Sequence, residues 1–143
     1  MGIPFQVVTV LVVDDLRLAR RIAVRILSEE GFRVLEADGA EEALEVLSEA
    51  RGRVDLVVLD VVMPTVDGVV LAEAVRSDWP DQRLLYMSAH PAEILARHGL
   101  KDLNVPFLAK PYTRAELLAK VKSALRRPGE SDRLVVERRK RRS

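Results

Sequence analysis

The hydrophobic residues of this 143-residue chain change their spacing repeatedly, from short continuous runs to stripes at i, i+3, i+4 and back. The run Val7-Val-Thr-Val-Leu-Val-Val13 is β-branched and apolar on both faces, which predicts a strand covered on both sides. Leu18, Ala19, Ile22, Ala23, Ile26 and Leu27 follow as a helical stripe, with Arg17, Arg20, Arg21 and Arg25 at other positions and Gly31 placed to end the helix. Phe32 to Ala37 reads as a weaker strand suited to a sheet edge. Ala40 to Ala50 reads as a helix with Asp38 as its N-cap. Leu56 to Leu59 is a second buried strand, running into Asp60. Gly68 to Arg76 is a helix that must stop before Trp79-Pro80, because proline excludes the residue before it from the α region. Arg83 to Met87 gives a fourth strand, Ile94 to Ala96 the centre of a short helix ending near Gly99, and Phe107 to Ala109 a fifth strand. Thr113-Arg-Ala-Glu116 fits a capping box ahead of the stripe Leu117, Leu118, Val121, Ala124 and Leu125, which Pro128-Gly129 ends.

Five strand-then-helix units require parallel strands joined by right-handed crossovers, with helices on both faces of the sheet. Five strands are too few for the eight-stranded barrel. The expected fold is therefore α/β, an open doubly wound five-stranded parallel sheet, with a ligand site outside the carboxyl ends of its strands. The length suits one domain and a short appendage, so a second folded output domain is not expected. Aromatic residues make up 4% of the chain, which leaves the core to Val, Leu, Ile and Ala; cysteine is absent, which excludes disulfides and thiolate chemistry and fits a reducing cytoplasm. No apolar run approaches the length of a membrane span, and the first residues lack the pattern of a signal peptide.

The net charge of +1 hides an uneven distribution. Residues 126–143 hold 8 basic and 3 acidic groups, whereas the other 125 residues hold 15 and 19. The expected organisation is a domain over 1–127 and a basic, disordered tail over 128–143. Only this tail, with Glu137-Arg-Arg-Lys-Arg-Arg142, offers contact with nucleic acid or an anionic surface, and it is too short to fold a DNA-binding domain.

The polar residues gather at the predicted strand ends: Asp14 and Asp15 after the first strand, Asp60 after the third, Ser88 after the fourth and Lys110 after the fifth. One aspartate at a strand end commonly caps the next helix, and one lysine is commonly a solvated charge. Five such groups on one edge are harder to explain that way. Clustered carboxylates repel one another unless a cation lies among them, and an all-oxygen set with few ligands suits Mg²⁺ better than Ca²⁺. Magnesium with open positions typically holds a phosphate oxygen too, leaving Lys110 and Ser88 for other phosphoryl oxygens and one carboxylate as nucleophile.

The segments Leu11-Val-Val-Asp-Asp-Leu16, Val57-Val-Leu-Asp-Val-Val-Met-Pro64 with Asp67-Gly68, Tyr86-Met-Ser-Ala-His90 and Phe107-Leu-Ala-Lys-Pro111 together resemble the receiver domain of two-component response regulators. The resemblance spans about residues 7–125 and implies a flavodoxin-like sheet of order 2-1-3-4-5. It implies that Asp60 accepts a phosphoryl group from the phosphohistidine of a sensor histidine kinase or phosphotransfer protein. Asp14, Asp15, Asp60 and the carbonyl of Val62 would hold Mg²⁺, Lys110 would pair with the phosphoryl group, and a cis bond to Pro111 would aim that lysine. Ser88 and Phe107 would be the switch residues, altering the face made by the fourth helix, fifth strand and fifth helix. Such a domain catalyses only its own phosphorylation and dephosphorylation, and the family also offers a homodimer through the fourth and fifth helices. In the family, Val62 and His90 occupy positions that flank the path of hydrolytic water.

Three other readings fit parts of the pattern. The chain could be the receiver module of a hybrid histidine kinase, which the wording around Leu85-Tyr-Met-Ser and Phe-Leu-Ala-Lys-Pro-Tyr112 resembles. A phosphorylation-independent scaffold has no chemical need for all five polar residues. A phosphatase with an aspartyl-phosphate intermediate commonly uses a second Asp two residues after the nucleophile, and Val62 stands there.

Overall fold

The computed structural model describes residues 7–63, 68–90 and 106–126. Its elements are β1 (Thr9–Val13), α1 (Arg17–Glu29), β2 (Arg33–Ala37), α2 (Ala40–Ala50), β3 (Leu56–Asp60), α3 (Gly68–Asp78), β4 (Leu84–Ser88), β5 (Phe107–Ala109) and α4 (Arg114–Ala124). The helix expected around Ile94 to Ala96 lies outside the described residues, as do Pro64, Asp67, the boundary at 127/128 and the basic tail.

All five strands pair in parallel, in the order β2-β1-β3-β4-β5. Alternation along each strand divides the core in two. Leu11, Val13, Val57, Leu59 and Tyr86 pack on one face with Ala43 and Leu47 of α2 and Leu71, Ala72 and Val75 of α3. Val10, Val12, Val58, Leu85 and Met87 pack on the other with Ala23 and Leu27 of α1 and Leu117 and Val121 of α4. Strands covered on both sides need no polar alternation, hence the continuous apolar runs; each fully buried Val or Leu contributes about 1.5–3 kcal/mol.

Local signals set most boundaries. Gly31, at φ 99°, donates to Ser28 O while Phe32 N–H reaches back to Leu27 O, so α1 ends in a Schellman motif that a residue with a Cβ would disfavour. At the start of α4, Thr113 Oγ1 accepts from Glu116 N–H at 3.1 Å and Glu116 Oε1 accepts from Thr113 N–H at 2.9 Å, completing the predicted box. Trp79, the residue before Pro80, is the first past α3, which runs two residues beyond Arg76.

One cap differs from expectation. The N-cap of α2 is Gly39, whose carbonyl takes Ala43 N–H at 3.0 Å, and no side chain caps the helix; Asp38 sits one residue too early and its own N–H donates to Glu42 Oε1. The first strand also starts late, at Thr9, because Val7 is exposed and Thr9 N–H is tied to Asp55 Oδ2 at 2.8 Å.

Candidate functional site

The carboxyl ends of β1, β3, β4 and β5 deliver the five predicted polar residues to one edge of the sheet. Backbone hydrogen bonds fix each of these ends to a neighbouring strand: Asp14 N–H donates to Ala37 O of β2 at 3.2 Å, Val61 N–H to Met87 O at 3.0 Å and Lys110 N–H to Ser88 O at 2.8 Å.

Asp14 is fully buried, with both side-chain oxygens engaged. Its Oδ1 accepts from Leu16 N–H at 3.0 Å, its Oδ2 receives Lys110 Nζ at 2.9 Å, and its backbone carbonyl accepts from Arg20 Nη1 at 2.8 Å. Asp60 is 6% exposed, with Oδ1 accepting from Val62 N–H at 3.3 Å and Oδ2 lying 3.7 Å from Lys110 Nζ. Asp15, half-buried beside them, has an Oδ1 shielded from solvent with no protein partner. One oxygen from each of the three carboxylates lies within 4.8 Å of the others. A single ammonium thus serves two of the three carboxylates, Asp14 and Asp60.

The electrostatics follow from this. Burial raises Asp60 to about 6 from an ordinary 3.8; Lys110 opposes the rise, Asp14 adds to it, the Val62 N–H opposes it, and Asp15 adds to it. Burial, and then Asp14, also push the Tyr112 hydroxyl up. An unpartnered buried oxygen in an all-carboxylate cluster is the donor chemistry that a hard divalent cation completes.

Ser88 is fully buried, its Oγ accepting from His90 N–H at 2.9 Å. Phe107 meets Tyr86 edge to face, ring centroids 5.4 Å apart at 62°. The Lys110–Pro111 peptide is cis.

Three contributors were not visible as such in the sequence. Gly68 opens α3 pressed against the end of β3: a Cβ there would stand 2.5 Å from Asp60 O and 2.7 Å from Val61 Cα, while Gly68 N–H donates to Val61 O at 2.7 Å. Arg20 and Glu36, 16 residues apart, meet at 3.0 Å beside Asp14. The glycine had a signal, its place behind Asp67; the ion pair had none before strand order was known.

The profile of the response regulator receiver domain matches residues 10–122. The chain belongs to the response regulator receiver family. This receiver is 39% identical over 117 residues to the sensor kinase CckA of Brucella abortus, covering 82% of the receiver and 12% of the kinase. It is 37% identical over 123 residues to the response regulator MprA of Mycobacterium leprae, covering 86% of the receiver and 53% of MprA, so it spans about half or less of these relatives. Among solved structures, the receiver domain of the hybrid histidine kinase CckA superposes with a TM-score of 0.70 at 32% identity, covering 82% of the receiver and 99% of that chain. The chemotaxis regulator CheY4 of Vibrio cholerae gives a TM-score of 0.72 at 26% identity, covering 83% and 99%. A CheX-CheY-BeF3-Mg²⁺ complex from Borrelia burgdorferi gives 0.70 at 27% identity, covering 84% and 90%. No helix among the described residues is long and apolar enough to cross a membrane.

Proposed function

We propose that the receiver is the phosphoacceptor of a two-component relay, with Asp60 as the nucleophile. The observation that carries this is the placing of the Asp60 carboxylate: buried at the end of β3, one oxygen held by Val62 N–H and the other facing Lys110. With its pKa at about 6, Asp60 is mostly ionised at pH 7 and keeps a lone pair for attack. A carboxylate oxygen attacks the phosphorus of a phosphohistidine, the P–N bond breaks, the imidazole leaves with the electron pair, and an acyl phosphate remains on Asp60.

Asp14, Asp15, Asp60 and the Val62 carbonyl would hold Mg²⁺, which supplies charge neutralisation for the carboxylates and the phosphoryl oxygens. Lys110, shared between Asp14 and Asp60 before reaction, turns its charge to the new phosphoryl group. Ser88 donates its hydroxyl there, giving up its position under His90 N–H, and Phe107 repacks against Tyr86. The equilibrium between the two arrangements is the signal, read on the surface of β5, α4 and the predicted fourth helix.

This receiver acts in the cytoplasm, turns over no separate substrate, and takes its phosphoryl group from a sensor kinase or phosphotransfer protein. Its similarity to CckA supports a place in a hybrid-kinase relay as a second reading. Incubation with acetyl phosphate and Mg²⁺, read by intact mass, tests the central claim. One phosphoryl adduct is expected on the wild type, none without Mg²⁺ and none on Asp60→Asn. A wild type that takes no adduct from any donor is a scaffold, and sustained hydrolysis of small phosphate esters makes it a phosphatase.

A further inference from the structure

We infer that Arg20 is a positioning residue for the acidic pocket, holding the Asp14–Asp15 peptide in the orientation that lets both side chains serve one cation. The inference rests on the reading of Asp14 and Asp15 as cation ligands. Arg20 lies in the first turn of α1 with its side chain 15% exposed, far more covered than Arg21 beside it at 58%. Its guanidinium makes two contacts in different directions: Nη1 donates to the Asp14 carbonyl at 2.8 Å, and Nε to Glu36 Oε1 at 3.0 Å. Glu36 is fixed in turn by the sheet, since β2 pairs with β1 in a register that sets Glu36 opposite Val12, two residues before Asp14.

That carbonyl belongs to the peptide joining Asp14 to Asp15. The peptide is planar, so holding its oxygen fixes the plane from which Asp15 departs. On the other side, Asp14 N–H is held by Ala37 O. The ligand-bearing dipeptide is thus clamped from both directions by the edge strand, once through backbone and once through the Arg20–Glu36 pair. Asp15, the one carboxylate among the described residues with an unpartnered buried oxygen, depends on this clamp.

Charge and positioning predict opposite outcomes, which makes the inference testable. If Arg20 acted only as a nearby positive charge, its removal would let a divalent cation bind more tightly. If it positions the peptide, removal weakens binding. Mg²⁺ titration by calorimetry, with a denaturation curve of each metal-free variant, separates the two without any activity measurement. Arg20→Gln is expected to raise the Mg²⁺ dissociation constant about 10-fold, the scale typical of residues that orient metal ligands. Arg20→Lys keeps the charge without the planar fork and is expected to recover only part of the loss. Glu36→Gln should weaken binding too, and less than additively with Arg20→Gln. Arg21→Gln, which touches Glu36 without touching Asp14, should bind as the wild type does. Should Arg20→Gln fail to fold, Arg20→Lys and Glu36→Gln carry the same comparison. Unchanged or tighter Mg²⁺ binding in these variants, or full recovery by lysine, overturns the inference while leaving the phosphoacceptor reading intact. A wild type that does not bind Mg²⁺ overturns both.

Discussion

The two halves of the site are built on opposite principles. On β1 and β3, Asp14, Asp15 and Asp60 crowd their like charges within 4.8 Å, and one oxygen has no partner. On β4 and β5, Ser88 is buried with its hydrogen bond made, and Phe107 rests edge to face on Tyr86. The first half opposes folding and is relieved by added positive charge; the second is already satisfied and must lose contacts to move. Lys110 joins them, its side chain among the carboxylates and its backbone bonded to Ser88 O. A site divided this way keeps the energy for a response in one half and the lever in the other.

The strongest way to break this comparison is at Asp60. Asp60→Asn should lose the phosphoryl adduct completely in the mass experiment, yet the metal-free variant should be more stable than the wild type at pH 7, because the repulsive half has lost a member.

Next comes Lys110, the cation common to both halves. Lys110→Met should destabilise the metal-free protein by about 2–3 kcal/mol in denaturant melts, since it strands the fully buried Asp14 carboxylate. Mg²⁺ should restore much of that stability, whereas destabilisation that Mg²⁺ leaves untouched would mean that the lysine serves packing rather than charge.

The third test is pH. Asp60 has a folded pKa near 6, above its unfolded value, so the folded state binds the extra proton. Its favourable contribution is complete below about pH 4 and is lost as pH rises through 6, at a cost on the order of 2–3 kcal/mol by pH 7. Melts of the metal-free wild type and Asp60→Asn should therefore diverge as pH rises from 4 to 7. Equal slopes would remove the electrostatic half of the comparison.

The smallest effect belongs to the satisfied half. Ser88→Ala removes the acceptor of His90 N–H and should cost about 1 kcal/mol, with little pH or Mg²⁺ dependence. A strong Mg²⁺ dependence there would show that the two halves are not separable before phosphorylation.

What the sequence made legible was whatever depends on near neighbours. Short apolar runs located β3 and β5, the limits of α2 are the expected ones, and the capping box at Thr113 needed only four residues to be recognised. The site residues were readable because each stands at the end of such a run. What stayed hidden depends on backbone atoms or strand order. Asp38 and Gly39 both suit an N-cap, and the choice rests on which carbonyl Ala43 N–H meets. Arg20 looked like one more arginine on a solvated helix face until β2 was laid beside β1 and brought Glu36 to it. Gly68 could be seen beside Asp67, but its reason is a distance to the Asp60 carbonyl that no spacing rule contains.

The hydrogen bonds that tie Asp14 to Ala37, Val61 to Met87 and Lys110 to Ser88 lie in one layer from the β2 edge to the β5 edge. Such a layer behaves as a common rail for everything mounted on it. Isotope labels at Ala37 and Ala109, neither of which carries a side chain of the site, should therefore register the chemistry at Asp60 from opposite margins of the sheet, making the molecule's periphery a vantage point on its centre.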